Sequence, residues 1–467
     1  MKKVILMNKK FDLNIEKVLE NWGVSDGIRE LIANALDEQI LTKTKDVQIF
    51  ESKESWHIKD FGRGVEYSHL TQKENKEKLS NPERIIGKFG VGLKDALATF
   101  DRHGVKIEII SKFGKITIAK SEKANFKDIK TLHAFIEDSP NKEFIGTEII
   151  LTGCSKNDID LAKSNFLKFS GETLLEKTKY GEVYAKKNDA LIYITGLKVA
   201  TEENFLFSYN VTSMTKKLRK ALNRERSNVG RTAYTDRIKE ILLSCESEKV
   251  AELIANDFSA YQTGEIHDEI SWIEVQEHAC KLINQKRKVV FATTTDLIEK
   301  KSAIDDARKD GYEIISIPDN LKYKINDVKD YDGNNIRTVS EYVQQYNSTF
   351  EFEFIAESKL TNKEKKVFVL KEELFKIVGG KPKQIRFIKI SETMRKDEFG
   401  YETKGLWQPL EQTIIIKREQ LQNIASFSST LLHETAHVLS SADDVTREFE
   451  IELTKLIGLA ISNYTEN

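Results

Sequence analysis

The chain is predicted to be a multidomain α/β (α+β) protein on three observations. Its 467 residues exceed what one ordinary hydrophobic core holds, so two to four domains are expected. Short runs with the two-residue period of strands alternate with runs at helical spacing along most of the chain. Hydrophobic content of 39% beside charged content of 31% describes packed cores under a well-solvated surface.

Bulk properties narrow the setting. Formal net charge is −1, so any pull toward nucleic acid or anionic lipid has to be local. The opening "MKKVILMNKKFDL" has too short an apolar run for a signal peptide, and no run approaches the ~18 apolar residues of a membrane span. Cys154, Cys245 and Cys280 are isolated thiols, which suits a reducing compartment. A cytoplasmic protein with no membrane segment is expected.

With few prolines and no Gly/Ser linker, domain boundaries come from changes of pattern. Residues 14–41 read as helix, with Ile28, Leu31, Ile32, Ala35 and Leu36 at helical spacing. Strands follow at "DVQIFES" and "SWHIKDFG", then a Gly-punctuated helix start at 87–99, then "VKIEIISKFG", "KITIAKS" and "TEIILTG". This predicts a mixed sheet with helices on one face over 1–155. A second alternation occupies 156–287. Residues 288–345 hold a small α/β unit built on strand–helix–strand. Residues 346–467 run through "QIRFIKISE" and "QTIIIKREQ" into two closing helices.

Chemistry-bearing residues cluster first near the N-terminus. "RELIANALDEQ" places Glu30, Asn34 and Asp37 on one helical face. A solvated face accounts for that much. Two further segments extend it: "KDFGRG" supplies Asp60, Gly62 and Gly64 after a strand, and "IGKFGVGLKDALATF" supplies Gly87, Gly90 and Gly92 before a helix carrying Lys94. Glycines there let backbone N–H groups approach an anion, and a helix N-terminus with a lysine favours phosphate.

In these three segments the chain resembles the GHKL ATPases, the superfamily of gyrase B, MutL, the heat-shock ATPase chaperones and the MORC proteins, with "IGKFGVGLKDA" most similar to the MORC branch. "GTEIILTG" at 146–153 is similar to the family's late Gly-Thr box. The resemblance covers about the first 155 residues and implies a Bergerat-fold α/β sandwich that binds ATP. It implies that Glu30 polarises the attacking water, that Asn34 holds Mg2+, and that Asp37 completes the same box. Asp60, assisted by Thr147, would receive the adenine amino group. Lys94 and the glycine box would hold phosphates under a lid at about 66–89. It also implies an ATP-dependent homodimer and a transducer-like domain over 156–287. Within Lys216–Lys239 there are nine Lys/Arg against Glu225 and Asp236. Lys216, Lys217, Arg224, Arg226 and Arg231 are candidate γ-phosphate sensors; a solvated surface or a nucleic-acid groove explains the same stretch.

The second cluster is "LLHETAHVLSS". On a helix His433 and His437 share a face and can bind one ion, with Glu434 beside them. Catalytic zinc normally takes three protein ligands. On the wheel of the final helix, Glu450 lies near 100° from Phe449, between Ile457 and Ile461, a costly place for an unpaired carboxylate. Glu450 is therefore the expected third ligand. Asp443 or Asp444 is expected to cap that helix rather than bind metal, with an aspartate ligand as the alternative. With Glu450 in place the tail resembles the gluzincin metallopeptidases, in which Glu434 would be the general base. "EQTIIIKRE" reads as the edge strand that would align a peptide.

Two complete constellations in one chain predict an ATP-gated, zinc-dependent peptidase acting on a protein or peptide, with a bacterial defence or stress role by analogy. The other readings are a MORC-like nucleic-acid clamp with a structural metal site, and an ATP-driven chaperone.

Overall fold

The computed structural model describes residues 9–13, 21–70, 85–86, 92–123, 126–222, 229–260 and 266–465. The chain is a multidomain mixed α/β protein that falls into two compact units, Met1–Ala279 and Cys280–Asn467. No helix among the described residues is long and apolar enough to cross a membrane.

The first unit begins with a seven-stranded sheet. Its strands are β1 (Lys9–Asp12), β2 (Gln48–Ser52), β3 (Ser55–Lys59), β4 (Lys106–Ser111), β5 (Gly114–Lys123), β6 (Phe126–Glu137) and β7 (Thr147–Thr152), in the order β1-β6-β5-β4-β7-β3-β2. Every pairing is antiparallel, so the expected mixed sheet is corrected. Each crossing is a hairpin or a return stroke, which antiparallel pairing accommodates. Ile107 and Ile109 of β4 and Ile149 and Leu151 of β7 alternate inward. They meet α1 (Val24–Thr42) and α2 (Gly92–His103) through Ile28, Leu31, Ile32, Leu97 and Phe100, all at or near zero exposure. The expected helix is shorter than read: α1 starts after Gly23, whose N–H bonds the Asp26 carboxylate at 2.9 Å. Residues 14–20 lie outside the described ones.

The same unit continues with α3 (Lys156–Lys163), which packs on α1, and a second sheet. That sheet has the order β11-β10-β12-β9-β8, from β8 (Leu174–Lys177), β9 (Gly181–Ala185), β10 (Ala190–Ile194), β11 (Leu197–Glu202) and β12 (Phe207–Val211). Only β10 and β12 run parallel. Glu269 is fully buried against β12, where its carboxylate accepts the N–H of Leu206 at 2.9 Å and the Tyr209 hydroxyl at 2.8 Å. Burial pushes its carboxyl above the ordinary range, and these donors offset part of that penalty. Part of the basic stretch is neutralised. Lys217 pairs with Asp236 at 3.0 Å, Lys239 with Glu274 at 2.9 Å, and Arg231 bonds Asp268.

The second unit opens with the strand–helix–strand read from sequence. β13 (Val289–Ala292) and β14 (Glu313–Ser316) are parallel, joined through α4 (Thr294–Glu299) and α5 (Lys301–Lys309), with α6 (Val339–Thr349) packed beside them. A four-stranded sheet follows in the order β15-β16-β18-β17, from β15 (Phe354–Ile355), β16 (Phe387–Ser391), β17 (Gly405–Gln408) and β18 (Thr413–Lys417). One face packs α7 (Asn362–Val369) and α8 (Ile424–Ser440) through Phe368, Ile414, Ile416, Phe427 and Leu431. α9 (Arg447–Thr465) closes the chain against α8. Thr413–Ile416 are buried on both faces, so β18 is an inner strand and the edge is β17, a correction to the expectation from "EQTIIIKRE". An unbroken apolar run marks a strand covered on both sides.

α7 is anchored by an electrostatic clamp. Glu364 forms a reciprocal cap with Thr361 and takes Arg418 bidentately at 2.9 and 3.2 Å. The Arg418 guanidinium holds the Glu364 carboxyl down to about 2. A depressed carboxylate contributes stability that is complete above its unfolded value and is lost as pH falls toward the folded one. Urea titration of Glu364→Gln beside wild type is expected to show a stability gap at pH 6 that closes between about pH 5 and pH 2. A gap that widened on acidification would contradict the clamp.

Candidate functional site

The described residues of the N-terminal sequence boxes lie around the α1 face of the first sheet. Asp60, at the end of β3, is buried, and its Oδ1 accepts the N–H groups of Gly62 at 2.9 Å and Thr147 at 3.2 Å. Burial raises its carboxyl above the ordinary range despite those bonds. The Asp60 N–H donates to the Thr147 carbonyl at 2.9 Å, and the Thr147 hydroxyl accepts Val65 N–H at 3.0 Å, so two of the sequence boxes lock together. Gly146 makes this possible. Its φ is +78°, and a Cβ there would lie 2.1 Å from the Asp60 carbonyl oxygen.

Glu30 is buried on α1, directly over Gly92, where a Cβ would lie 2.3 Å from Oε2. Thus a third box meets the first at the start of α2, the helix whose first turn carries half-buried Lys94. Asn34 is half-buried one turn on from Glu30, whereas Asp37 is fully buried and accepts Ile86 N–H at 2.5 Å. Asp37 therefore holds the chain segment at Ile86 rather than facing a ligand through that oxygen. Gly64 adopts φ +90° beside the Gly146 carbonyl. Gly87, Gly90, Arg224, Arg226 and most of the expected lid lie outside the described residues. Glu38 was not singled out from sequence. It grips Arg63 with two 2.9 Å side-chain bonds and tethers the Gly62–Gly64 loop to α1.

The second constellation sits on α8 and the turn that follows it. His433 Nε2 and His437 Nε2 lie 3.3 Å apart, and Asp444 Oδ1 reaches them at 3.1 and 3.4 Å. Among the described residues these three form the group whose ligand atoms all lie within 4.8 Å. Glu450 is not in it: it is exposed, on the flank of α9 with Ile457 and Ile461, which are 50% and 63% exposed. The wheel assumed that this whole flank is covered, and α9 buries only the arc through Phe449 and Leu456. The third member of the group is therefore Asp444. It does not cap α9 either; Thr446 does, its hydroxyl accepting Phe449 N–H at 3.3 Å.

The surroundings orient these groups. His437 Nδ1 lies 2.8 Å from the Ala442 carbonyl, which can only accept, so Nδ1 carries the proton and Nε2 is left with its lone pair. Phe449 stacks on His437 at 4.4 Å and meets His433 edge-on at 4.9 Å. Two imidazole nitrogens and a carboxylate oxygen thus converge, a donor set that could hold a divalent cation. Burial holds His433 below its ordinary pKa.

Glu434 is buried next to them. Burial, then the charge of Asp444, push its carboxyl up to about 8, partly offset by the N–H of Trp407. Gly405 permits this approach of strand to helix, since a Cβ there would lie 2.5 Å from Glu434 Oε1. Lys417 N–H donates to the Lys404 carbonyl, so by antiparallel alternation Gly405 and Trp407 turn their backbone groups to the free edge. That edge, the histidines, Glu434 and Asp444 line one cleft of about 1260 Å³. Its Tyr401, Glu402 and Lys404 were not foreseen, because nothing in their local pattern marks them.

Residues 157–248 match the family model described as the Mycoplasma pneumoniae MPN635 N-terminal domain. Two proteins of Mycoplasma pneumoniae (strain ATCC 29342 / M129 / Subtype 1), each described as an uncharacterized protein, are similar to this chain. One is 41% identical over 239 residues, covering 50% of this chain and 96% of the relative. The other is 29% identical over 352 residues, covering 68% of this chain and 96% of the relative.

Proposed function

The chain belongs to the family of the 41%-identical Mycoplasma pneumoniae protein, and we propose that this member is an ATP-gated, metal-dependent peptidase. The observation that carries the reading is the convergence of His433, His437 and Asp444 beside buried Glu434, on the free edge of β17. The donor set, two imidazoles and one carboxylate, suits Zn2+. A bound zinc ion supplies Lewis-acid polarisation of a peptide carbonyl and draws down the pKa of its neighbours.

The chain's own residues do the rest. The edge-facing backbone groups of Gly405 and the Trp407 carbonyl would hydrogen-bond an extended peptide as an added strand, with one of its carbonyls toward the histidines, while the Trp407 N–H stays on Glu434. Glu434 takes a proton from the attacking water and passes it to the leaving amine. The third ligand arrives from the turn after α8 rather than from a following helix, so the gluzincin-like reading keeps its helix and base but not its Glu450.

In the first unit, the Bergerat-type reading is supported by the two close approaches at Gly146 and Gly92, which bring the loop of Asp60 and the carboxylate of Glu30 against the glycine-bearing segments. Asp60 Oδ2 would accept the adenine amino group, Asn34 would hold Mg2+ on the phosphates, and Glu30 would position the attacking water. Lys94 would neutralise phosphate charge. Nucleotide-dependent dimerisation would then couple ATP occupancy to cleavage.

The test measures zinc per chain, then peptide cleavage with ATP, with a non-hydrolysable analogue and without nucleotide. About one zinc per chain and cleavage that changes several-fold with nucleotide are expected. Cleavage indifferent to ATP would sink the gating, and absence of both zinc and cleavage would sink the peptidase.

A further inference from the structure

The edge of the second unit's sheet opposite the cleft carries a run of aromatic rings interleaved with cations. "TFEFEFI" supplies Phe350, Phe352 and Phe354, and "RFIKI" supplies Phe387. Phe350 meets Phe352 edge-on at 5.0 Å, and Phe352 stacks on Phe354 at 5.5 Å with planes 19° apart. Phe354 pairs with Ser391 across the β15–β16 ladder, so it shares the outer sheet face with Lys389 and Phe387, while Ile355, Ile388 and Ile390 face the core. Phe354 and Phe387 are each 47% exposed.

The cations sit on these rings. Lys389 Nζ lies 4.7 Å from the Phe354 centroid and 5.9 Å from that of Phe387, Arg395 lies 5.9 Å from Phe352, and Arg386 lies 5.0 Å from Phe387. None of these three has a carboxylate within 4.0 Å among the described residues, unlike Lys217, Arg231 and Lys239 of the first unit's basic stretch. The segment Lys381–Lys396 holds six Lys/Arg against Glu392 alone, and Glu392 is taken by Arg418 at 3.0 Å. Glu351 and Glu353, between the rings in sequence, are exposed and make no ion pair with Lys389, Arg386 or Arg395 within 4.0 Å.

We propose that this edge is a binding site for single-stranded nucleic acid. Aromatic faces accept any base, and unpaired cations between them accept the phosphates that link successive bases. An apolar protein partner would leave these desolvated cations without counter-charge. A duplex keeps its base faces covered and could use only the charges.

Fluorescence anisotropy of the full chain with labelled oligo(dT) and oligo(U) of about 20 nucleotides, beside a duplex of equal length, tests this. Both single strands are expected to bind more tightly than the duplex, with affinity falling steeply from about 50 to about 200 mM salt. Phe354→Ala is expected to weaken binding about 10-fold or more, and Phe354→Trp to restore it. Paired Lys389→Ala and Arg395→Ala should flatten the salt dependence. Thermal melting separates loss of binding from loss of fold. No single-strand binding, equal or tighter duplex binding, equal competition by polyglutamate, or loss confined to Lys217→Ala and Lys220→Ala would each overturn the assignment. It stands or falls independently of the peptidase reading.

Discussion

Glu434→Gln is expected to lower peptide cleavage by about 10²- to 10⁴-fold while leaving metal content unchanged. The substitution keeps the side chain's size and its contact with β17, where Glu434 lies against Gly405 and the Trp407 N–H. It removes the carboxyl that the proposed reaction uses to carry a proton between water and leaving amine. The loss should fall on kcat rather than KM, because the proposed reading gives substrate alignment to the strand edge and not to the carboxylate. Retained cleavage in this variant, with zinc still bound, would remove Glu434 from the chemistry and with it the proposed reaction.

The second large effect concerns the third ligand. Asp444→Asn is expected to weaken zinc binding by more than the ~10–100-fold typical of outer-shell substitutions, whereas Glu450→Gln should leave it unchanged. Metal titration of the two variants against wild type decides between the turn and the helix as source of the carboxylate. The opposite ranking would restore the wheel-based assignment. The backbone itself favours the turn. Ser441 ends α8 at φ 54°, and Val445, directly after Asp444, sits at φ 63°. A β-branched residue in the left-handed region is strained by about 1–3 kcal/mol, and such strain persists where surrounding structure over-determines it. Here it aims Asp444 Oδ1 at both imidazoles.

Periodicity made the local elements legible. Apolar residues at helical spacing marked α1 through Ile28, Leu31 and Leu36, and the closing helices likewise. "VVFATTT" and "YEIISIPD" around an amphipathic stretch marked the β13–β14 unit. Spacing alone put His433 and His437 on one face, because a helix returns to the same side every three to four residues. Asp60 and Thr147, which the resemblance put in one site, are hydrogen-bonded in the fold, and Gly64 lies beside Gly146.

Other features depend on residues far apart in the chain. Whether the Ile457 side of α9 is covered depends on what packs against it, so the wheel could place Glu450 on that flank but not say whether the flank is buried. Which strand forms an edge depends on the pairing partners of β18, and its double-sided burial was visible only as four apolar-compatible residues in a row. Strand direction in the first sheet follows from return connections that no local pattern encodes.

By itself, then, the sequence determined the helices, the strands and the pair of histidines, since these rest on side-chain periods within a dozen residues. Only the tertiary structure decided that Asp444 completes the cluster, that β17 borders the cleft, and that Glu30 lies over Gly92. Those are distances between separate elements, and packing of whole layers sets them.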